Sequence, residues 1–423
     1  MDHFPLRGGV VHCEDVPLPR IAGEVGTPVY VYSTAAMLDQ VRLLKSALAP
    51  LADPLIAFAV KANPNPAVLA TFAAEGLGAD VVSGGEYRRA RAAGIEPGRI
   101  VFSGVGKTAA EMALALDGGL FQFNVESVEE AEMLSEVALA AGREAPVALR
   151  VNPDVDAGTH AKISTGAAHN KFGVAIGEAA AACARIRELA GLRLNGVAVH
   201  IGSQLTSLAP LEAAFERLGE LIRTLRSAGH EIRTADLGGG LGLAYDPAAP
   251  PPPTPADYGA MVARVTSGWE TRLIFEPGRL LVGDAGVLLT TVIRVKPGPD
   301  LPFVIVDAAM NDLMRPSLYD AWHSAEAVAP GGGDMVADIV GPVCETGDTF
   351  ARARRIDRVS AGELMIIRTA GAYAATMGST YNSRPLAPEV LVNGSEWAIV
   401  RERPKPEDLL AGYKPPLWLE ERR

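Results

Sequence analysis

The sequence predicts an α/β protein, in which a (β/α)8 TIM-like barrel is joined to a second, mainly antiparallel β domain. From about residue 35 to 280, short apolar runs alternate with alanine-rich helical stretches, which is typical of a parallel sheet covered by helices. This alternation contains eight strand candidates, the number needed for a (β/α)8 barrel of about 250 residues. After residue 282 the runs stay β-rich while the helical periods largely disappear, which favours antiparallel pairing.

The barrel elements alternate along the chain, with one helix before the first strand and a helix after each of the first seven strands. We predict strands at residues 55–60, 79–82, 100–103, 121–126, 147–152, 196–201, 234–237 and 272–276. We predict helices at residues 35–47, 67–75, 85–93, 109–116, 128–141, 178–190, 210–227 and 257–267. An open, doubly wound sheet is the competing architecture. It is disfavoured because no Gly-x-Gly-x-x-Gly run opens a helix after the first strand.

The β domain is predicted from short β-branched segments near the end of the chain. They lie at residues 286–295, 303–306, 335–340, 364–368 and 397–401, and an early run at 29–32 adds one more strand. We therefore place the barrel at residues 34–280. The β domain takes residues 1–33 and 281–423.

Composition excludes several classes of function. The chain has 423 residues, a formal charge of −11 and no basic block, so neither nucleic acid nor an anionic membrane is an expected partner. The N-terminus lacks the features of a signal peptide, and we see no apolar run long enough to span a membrane. The three cysteines are widely spaced, which predicts neither a disulfide framework nor a metal site. A reduced, cytoplasmic protein fits best.

Lys61 ends the apolar run of the first predicted strand and is followed by two Xaa-Pro steps. Burying an ammonium group is costly, so a lysine here is either paired or used chemically. A desolvated lysine with a lowered pKa attacks carbonyl groups and forms a Schiff base. The alternative is a lysine that simply ends the strand and reaches solvent, and this segment alone does not separate the two.

Other polar residues fall at the carboxyl ends of predicted strands, where the active sites of such barrels lie. Strand seven runs into glycines 238–240, whose backbone N–H groups can converge on an anion. Strand eight ends in Glu276 with Arg279 close behind, and arginine offers a fork of donors for phosphate or carboxylate. Strand six ends near His200 and Ser203. Each motif alone is weak, but their coincidence with the lysine on one rim is a strong signal.

A lysine, a phosphate cradle and an acid indicate pyridoxal 5′-phosphate (PLP). In such sites the lysine binds the cofactor as a Schiff base, and the acid keeps the pyridine nitrogen protonated so that the ring withdraws electrons. Glu276 is the candidate acid, and an ion pair with Arg279 is the structural alternative. His200 could stack on the ring.

The predicted β domain carries three dense polar segments, at residues 307–319, 341–348 and 371–382. Arg315 could bind a substrate carboxylate bidentately. Cys344 could be a small buried hydrophobe, the usual fate of a free cysteine. Because Glu345 and Asp348 flank it in a loop bounded by glycine and proline, it could instead transfer a proton.

Together these residues resemble the diaminopimelate decarboxylase family, PLP enzymes of the alanine-racemase-like fold type III and the class-II Orn/Lys/Arg decarboxylases. That family converts meso-diaminopimelate to L-lysine in the last step of lysine biosynthesis. The likeness covers nearly the whole chain. Its motifs lie at residues 58–65, 80–86, 150–153, 171–173, 200–204, 236–242, 276–279, 315–319, 344–348 and 371–382. The family's barrel and β domain agree with the fold predicted above.

The resemblance implies a role for each matching residue. Lys61 is expected to carry the cofactor, His200 to stack on it, and Cys344 to donate a proton. The residues expected to hold the cofactor are Lys61, His200, Ser203, Gly239, Gly240, Glu276, Pro277, Gly278, Arg279 and Tyr373. Those expected to bind the amino-acid substrate are Arg279, Arg315, Tyr319, Glu345 and Tyr373. The family forms head-to-tail homodimers with shared active sites, so Cys344 and Glu345 are expected to serve the neighbour's Lys61.

Three alternatives stay open. The first is a related decarboxylase acting on carboxynorspermidine, ornithine or another amino acid. Arg315 disfavours ornithine, which has no second carboxylate to bind. The second is a non-catalytic PLP-binding homologue, against which Lys61 and Cys344 both argue. The third is an alanine racemase, which would normally use a tyrosine as its second base, whereas the Cys344-Glu345 loop indicates decarboxylation.

Overall fold

The structure, a computed structural model, describes residues 2–156 and 170–420. Within these residues the chain divides into two compact units. The barrel unit consists of residues 33–286 and 371–376, and the β unit consists of residues 2–32, 287–370 and 377–420. The short segment 371–376 thus belongs with the barrel, although it is far from the barrel in sequence.

Eight parallel strands form the barrel. In chain order they are Leu55–Ala59, Gly78–Val81, Ile100–Phe102, Gln122–Val125, Ala145–Asn152, Leu192–Val199, Thr234–Asp236 and Arg272–Phe275. Each strand pairs with the next one along the chain, and Ile274 opposite Leu55 joins the eighth strand to the first. The sheet therefore closes on itself. A two-residue strand, Val174–Ala175, pairs in parallel with the end of the fifth strand.

The helices of the barrel unit alternate with these strands. They are Thr34–Leu48, Pro66–Ala74, Gly84–Ala92, Ala109–Asp117, Val128–Ala141, Ala179–Glu188, Ala209–Ser227, Pro255–Val265 and Arg279–Val282. Ser83, Thr108 and Ser127 cap three of them, each accepting a hydrogen bond from the backbone N–H three residues on. Such caps satisfy donors that a helix start leaves unpaired. They fix where three βα loops end, and these loops lie on the rim where the candidate residues are found.

The barrel interior contains an apolar cluster and a polar network. The apolar cluster consists of Leu55, Val101 and Ile274. In the polar network, Thr234 Oγ1 donates to Gln122 Oε1 at 3.0 Å, and Asn124 Nδ2 donates to Asp236 Oδ2 at 2.8 Å. These bonds join the fourth and seventh strands, which are not neighbours in the sheet, so they cross the lumen.

The β unit is built on a mainly antiparallel sheet. Its strands are Val29–Ser33, Gly286–Lys296, Phe303–Val306, Ala325–Ala327, Asp334–Val340, Thr349–Asp357, Leu364–Ile367, Glu389–Asn393 and Glu396–Arg401. The early strand Val29–Ser33 lies between Gly286–Lys296 and Glu389–Asn393. A small antiparallel sheet of Leu6–Arg7, Val10–Cys13 and Val16–Pro17 precedes the helix Leu18–Val25. Two shorter helices are Arg315–Tyr319 and Leu417–Glu420. Together the two units confirm the fold class predicted from the sequence.

Three strands of this sheet were not predicted: Ala325–Ala327, Thr349–Asp357 and Glu389–Asn393. The longest of them is Thr349–Asp357. Its sequence, TFARARRID, contains three arginines and lacks the apolar character that marked the other strands. The strand lies at the edge of the sheet. Charged residues suit an edge strand because they discourage pairing with another chain, and they also hide the strand from a hydrophobicity pattern.

Candidate active site

Lys61 lies in a single 3-10 turn, Val60–Ala62, directly after the first barrel strand. Its Nζ is 2.7 Å from Oδ2 of Asp80, a fully buried carboxylate in the second strand. Burial by itself lowers the pKa of Lys61, but the neighbouring Asp80, Tyr373 and Glu276 together raise the pKa above its ordinary value. The expectation of an amine with a lowered pKa is therefore wrong for this state of the protein. Lys61 is held as an ammonium by Asp80, and it must lose a proton before it can attack a carbonyl group.

The glycines after strand seven are packed too closely for any side chain. A Cβ on Gly239 would lie 2.2 Å from the carbonyl oxygen of Glu276, and one on Gly240 would lie 2.5 Å from that of Gly202. Gly240 also has a positive φ of 115°, which residues with a Cβ rarely adopt. This segment forms a cradle of bare backbone at the carboxyl ends of strands seven and eight, as predicted for an anion site.

His200 contacts this cradle as a neutral imidazole. The Gly239 N–H donates to His200 Nδ1 at 3.2 Å, so Nδ1 carries a lone pair rather than a proton. Burial, and then the charges of Arg150 and Lys61, lower the pKa of His200 well below its ordinary value. The ring therefore favours its uncharged form, which would meet a ligand ring without charge repulsion.

Arg279 is buried beside the cradle and held by three side chains. Its Nη2 donates to Ser203 Oγ at 3.1 Å, and its Nη1 donates to Tyr245 Oη at 2.6 Å. Its guanidinium lies 4.7 Å from the ring centre of Tyr373. The buried Nε has no hydrogen-bond partner among the described residues. A buried guanidinium with a donor still to be satisfied suits an anionic ligand. The sequence did not indicate Tyr245, whose only signal is its position a few residues after the glycine run.

Tyr373 reaches the barrel through the segment 371–376. Its backbone N–H donates to the Ala62 carbonyl at 2.8 Å, one residue from Lys61. Asn63 Nδ2 donates to the Gly371 carbonyl at 3.0 Å. Tyr373 itself has a positive φ of 54°. These bonds fix a strained tyrosine next to the lysine, and such conformations persist where the surroundings over-determine them.

Glu276 joins the polar network of the lumen. Ser103 Oγ donates to Glu276 Oε1 at 3.2 Å, and Asn124 Nδ2 lies 3.5 Å from the same atom. Burial, and then the carboxylates of Asp236 and Asp80, raise the pKa of Glu276 well above its ordinary value. Burial likewise raises the pKa of Asp236 to about 6. A hydrogen bond between Glu276 and Asp236 raises the pKa of Glu276 further. The alternative of an ion pair with Arg279 is not observed in the described part of the chain.

Two cavities lie among these side chains of the barrel unit. The larger, of about 370 Å³, is lined in part by Lys61, Ser103, His200 and Glu276. The smaller, of about 40 Å³, lies beside glycines 238–240 and Arg279. The amine of Lys61 and the acid of Glu276 line both cavities, and the glycine backbone and the guanidinium of Arg279 line the smaller one as well. These residues fit PLP, which carries an aldehyde, a ring nitrogen and a phosphate.

The β unit brings together the remaining candidates. Arg315 and Tyr319 begin and end one short helix, and Ser317 on this helix donates to the Gly347 carbonyl. The helix is thereby tied to the loop that carries Cys344 and Glu345. Arg315 is buried and Cys344 is exposed, so the alternative of Cys344 as a buried hydrophobe is wrong.

Asp348 holds that loop in shape. It is buried and accepts hydrogen bonds from the backbone N–H groups of Met310 at 2.6 Å and Val343 at 2.7 Å. The sequence suggested Asp348 as a neighbour in proton transfer, whereas these bonds make it a support. Tyr381, to which we assigned no role, hydrogen-bonds Glu345, and this contact raises the pKa of Tyr381.

The structure therefore brings the candidates together as two sets, one in each unit. The barrel set contains Lys61, His200, Ser203, Gly239, Gly240, Glu276, Pro277, Gly278, Arg279 and Tyr373. The β-unit set contains Arg315, Tyr319, Cys344 and Glu345. Over residues 2–156 and 170–420, we find no cluster of three or more His, Cys, Asp or Glu side chains that could hold a metal ion. No helix in these ranges is long and apolar enough to cross a membrane.

Known proteins are similar to this chain over nearly its whole length. A family model described as the pyridoxal-binding domain of pyridoxal-dependent decarboxylases matches residues 35–283. A diaminopimelate decarboxylase of Zymomonas mobilis is 57% identical over 98% of this chain and 99% of its own length. One from Pseudomonas aeruginosa is 49% identical over 97% and 99%. The solved structure of diaminopimelate decarboxylase from M. jannaschii in complex with L-lysine has a TM-score of 0.95 at 34% identity, covering 99% of both chains.

Proposed function

Because the chain belongs to the diaminopimelate decarboxylases, a family of pyridoxal-dependent decarboxylases, we propose that the two sets of residues described above carry this reaction. The activity is decarboxylation of meso-2,6-diaminopimelate to L-lysine and CO2, the last step of lysine biosynthesis. The cofactor is PLP. The observation that carries the residue assignment is the cavity onto which Lys61 and Glu276 both open, next to the glycine cradle and Arg279.

The barrel set holds the cofactor. When bound, PLP accepts the electron pair that is left on the substrate carbon when a carboxylate departs as CO2. Lys61 would hold the cofactor at its aldehyde, and Asp80 Oδ2, at 2.7 Å from Nζ, is in reach to take the ammonium proton. Glycines 239 and 240, Ser203 and Arg279 would hold the phosphate. Pro277 and Gly278 line this site.

Glu276 would face the ring nitrogen of bound PLP. Burial and the nearby carboxylates raise its pKa, which favours a proton held between its carboxyl group and that nitrogen. The flat ring of His200 would lie against the cofactor ring, and its low pKa would keep a competing positive charge away from it.

The arginines and Glu345 suit the substrate's charges. Diaminopimelate has an amino-acid group at each end, so the end that is not decarboxylated presents a carboxylate and an ammonium group. Arg279 and Arg315 suit carboxylates, and Glu345 suits an ammonium. Tyr319 and Tyr373 complete the substrate site. Burial of Arg315 supports this assignment, since an arginine removed from water gains more from an anionic partner than an exposed one does.

Cys344 supplies the proton that replaces the lost carboxylate. Its exposure and its position in a loop held by Asp348 support a thiol presented to a ligand rather than packed in a core. The S–H bond breaks, the proton goes to the substrate carbon, and the thiolate takes a proton back from solvent.

A homodimer with shared sites is part of this proposal, with Cys344 and Glu345 serving the Lys61 of the neighbouring chain. Mixed Lys61→Ala and Cys344→Ala chains test it. If sites are shared, each mixed dimer has one intact site, and random mixing restores about a quarter of wild-type activity. If mixed dimers form and stay inactive, the sites are self-contained. A cytoplasmic location also belongs to the proposal, because Cys344 must remain a reduced thiol.

The substrate assignment is tested by CO2 release from meso-2,6-diaminopimelate, with and without added PLP. Ornithine, L-lysine and carboxynorspermidine serve as comparison substrates. We expect kcat/KM for meso-diaminopimelate to exceed that for ornithine by more than about a hundredfold, because ornithine leaves a buried arginine without its anion. Comparable values for the two substrates would contradict the assignment.

A further inference from the structure

His323 contacts the buried head of Arg315 but belongs to none of the motifs considered above. The helix Arg315–Tyr319 ends at Asp320, which has a left-handed conformation with φ 51°. This turn brings His323 back against the start of the helix. His323 Nε2 lies 2.7 Å from Arg315 Nη1, and both residues are buried.

The two partners of the His323 ring fix its tautomer. A guanidinium can only donate hydrogen bonds, so Nε2 must accept from Arg315. The other nitrogen, Nδ1, lies 2.9 Å from the backbone carbonyl of Arg368, which can only accept. Nδ1 therefore carries the proton, and the ring is the neutral Nδ1–H form. A doubly protonated ring would direct an N–H group at the guanidinium and could not make this contact.

The backbone around His323 is held from several sides. Arg354 Nη1 donates to the His323 carbonyl at 2.7 Å, and the guanidinium of Arg354 lies 3.8 Å from the ring centre of Trp322. The Arg368 side chain forms an ion pair with Glu326, which fixes the strand end whose carbonyl accepts the hydrogen bond from Nδ1–H. His323 is thus a rigid acceptor with a defined direction.

A neutral acceptor such as His323 affects the charge around Arg315 differently from a carboxylate. It orients the guanidinium of Arg315 without placing a negative charge of its own beside it, so this contact does not weaken the attraction of Arg315 for an incoming anion. We propose that His323 is a positioning residue that aligns Arg315 with the carboxylate at the substrate end that is not decarboxylated. This inference rests on the substrate role of Arg315 given under the proposed function. It makes His323 a determinant of specificity for substrates with that second carboxylate.

Three substitutions of His323 separate positioning from simple core packing. His323→Gln keeps a neutral acceptor near the Nε2 position, His323→Leu removes it, and His323→Glu keeps an acceptor but adds a negative charge. For meso-diaminopimelate we expect His323→Leu to raise KM about tenfold, the effect of losing one charge-assisted hydrogen bond, with kcat changed much less. His323→Gln should remain close to wild type, and His323→Glu should be impaired at least as much as His323→Leu. A purely structural role predicts instead that Gln and Glu behave alike.

Ligand binding to the holoenzyme gives a second readout that does not depend on turnover. L-lysine retains the carboxylate in question, and 1,5-diaminopentane has the same chain and amines without it. Calorimetry should show that His323→Leu lowers the affinity for L-lysine by about tenfold and leaves the affinity for 1,5-diaminopentane unchanged. If the affinities for both ligands fall equally, or neither affinity falls, the positioning role is overturned. If His323→Leu fails to fold, the comparison of the Gln and Glu variants decides alone.

Arg315→Met separates failure of this inference from failure of the proposed function. If Arg315→Met binds L-lysine like wild type, the substrate role of Arg315 is wrong and the inference falls with it. If Arg315→Met lowers the affinity for L-lysine while His323→Leu does not, only the positioning role is wrong. In the variant that carries both substitutions, a positioning role requires that His323→Leu causes no further loss of L-lysine affinity. An additive loss would mean that His323 acts independently of Arg315.

Discussion

Replacing Gly239 by alanine probes the tightest contact in the glycine cradle. The new Cβ would lie 2.2 Å from the carbonyl oxygen of Glu276, whereas non-bonded heavy atoms prefer about 3.5 Å. The ends of strands seven and eight would have to separate by about 1 Å. Overpacking of this kind costs about 1–3 kcal/mol, and loss of the N–H bond from Gly239 to His200 costs about 1 kcal/mol more. We therefore expect the free energy of unfolding of the apoprotein to fall by about 2–4 kcal/mol.

PLP affinity should fall together with stability, by at least about tenfold, because the displaced backbone is the part that would bind the phosphate. Urea unfolding of the apoprotein measures the first effect, and titration with PLP followed by absorbance measures the second. Gly177→Ala is the matched control. A Cβ there meets nothing within 4 Å, so its unfolding free energy should stay within about 0.5 kcal/mol of wild type. The reasoning is refuted if Gly239→Ala matches this control in both measurements.

Three further predictions concern single groups. Lys61→Ala should show no visible absorbance band of lysine-bound cofactor when PLP is added, since the amine is gone, and a retained band would exclude Lys61 as the attachment point. Cys344→Ala should lower kcat by about a hundredfold or more with unchanged PLP affinity, and wild-type turnover would remove Cys344 from proton transfer. Burial raises the pKa of Asp236 from 3.8 to about 6, so the folded apoprotein holds this proton more tightly than the unfolded chain does. This tighter proton binding adds about 3 kcal/mol to the free energy of unfolding below pH 3.8, and that stabilisation is lost as the pH rises through 6. The unfolding free energy of wild type relative to Asp236→Asn should therefore fall between pH 4 and pH 7, and a constant difference would contradict the assignment.

The fold and the barrel rim could be predicted because both depend on local sequence patterns. Apolar runs alternating with helices define a closed parallel sheet, and closure brings the residues that follow each strand to one rim. Lys61, glycines 238–240 and Arg279 were found in this way. Their place in the structure follows from their position along a strand, which a single sequence displays directly.

Side-chain contacts between different strands of the barrel could not be predicted. The pairing of Lys61 with Asp80, which raises the lysine pKa, depends on which strands become neighbours and which way each side chain faces. The bond between Thr234 and Gln122 exists only after closure places strands four and seven on opposite sides of one lumen. The sequence also does not show that His323 turns back onto Arg315, since that depends on one left-handed residue at the end of the helix.

The segment 371–376 has a consequence for how the protein is made. Tyr373 lies against Arg279 and hydrogen-bonds the residue next to Lys61, yet it is synthesised about a hundred residues after the eighth barrel strand ends. A nascent chain in which all eight barrel strands have been synthesised still lacks Tyr373 and the rest of the segment 371–376. The cofactor site is therefore finished only when most of the β unit has left the ribosome.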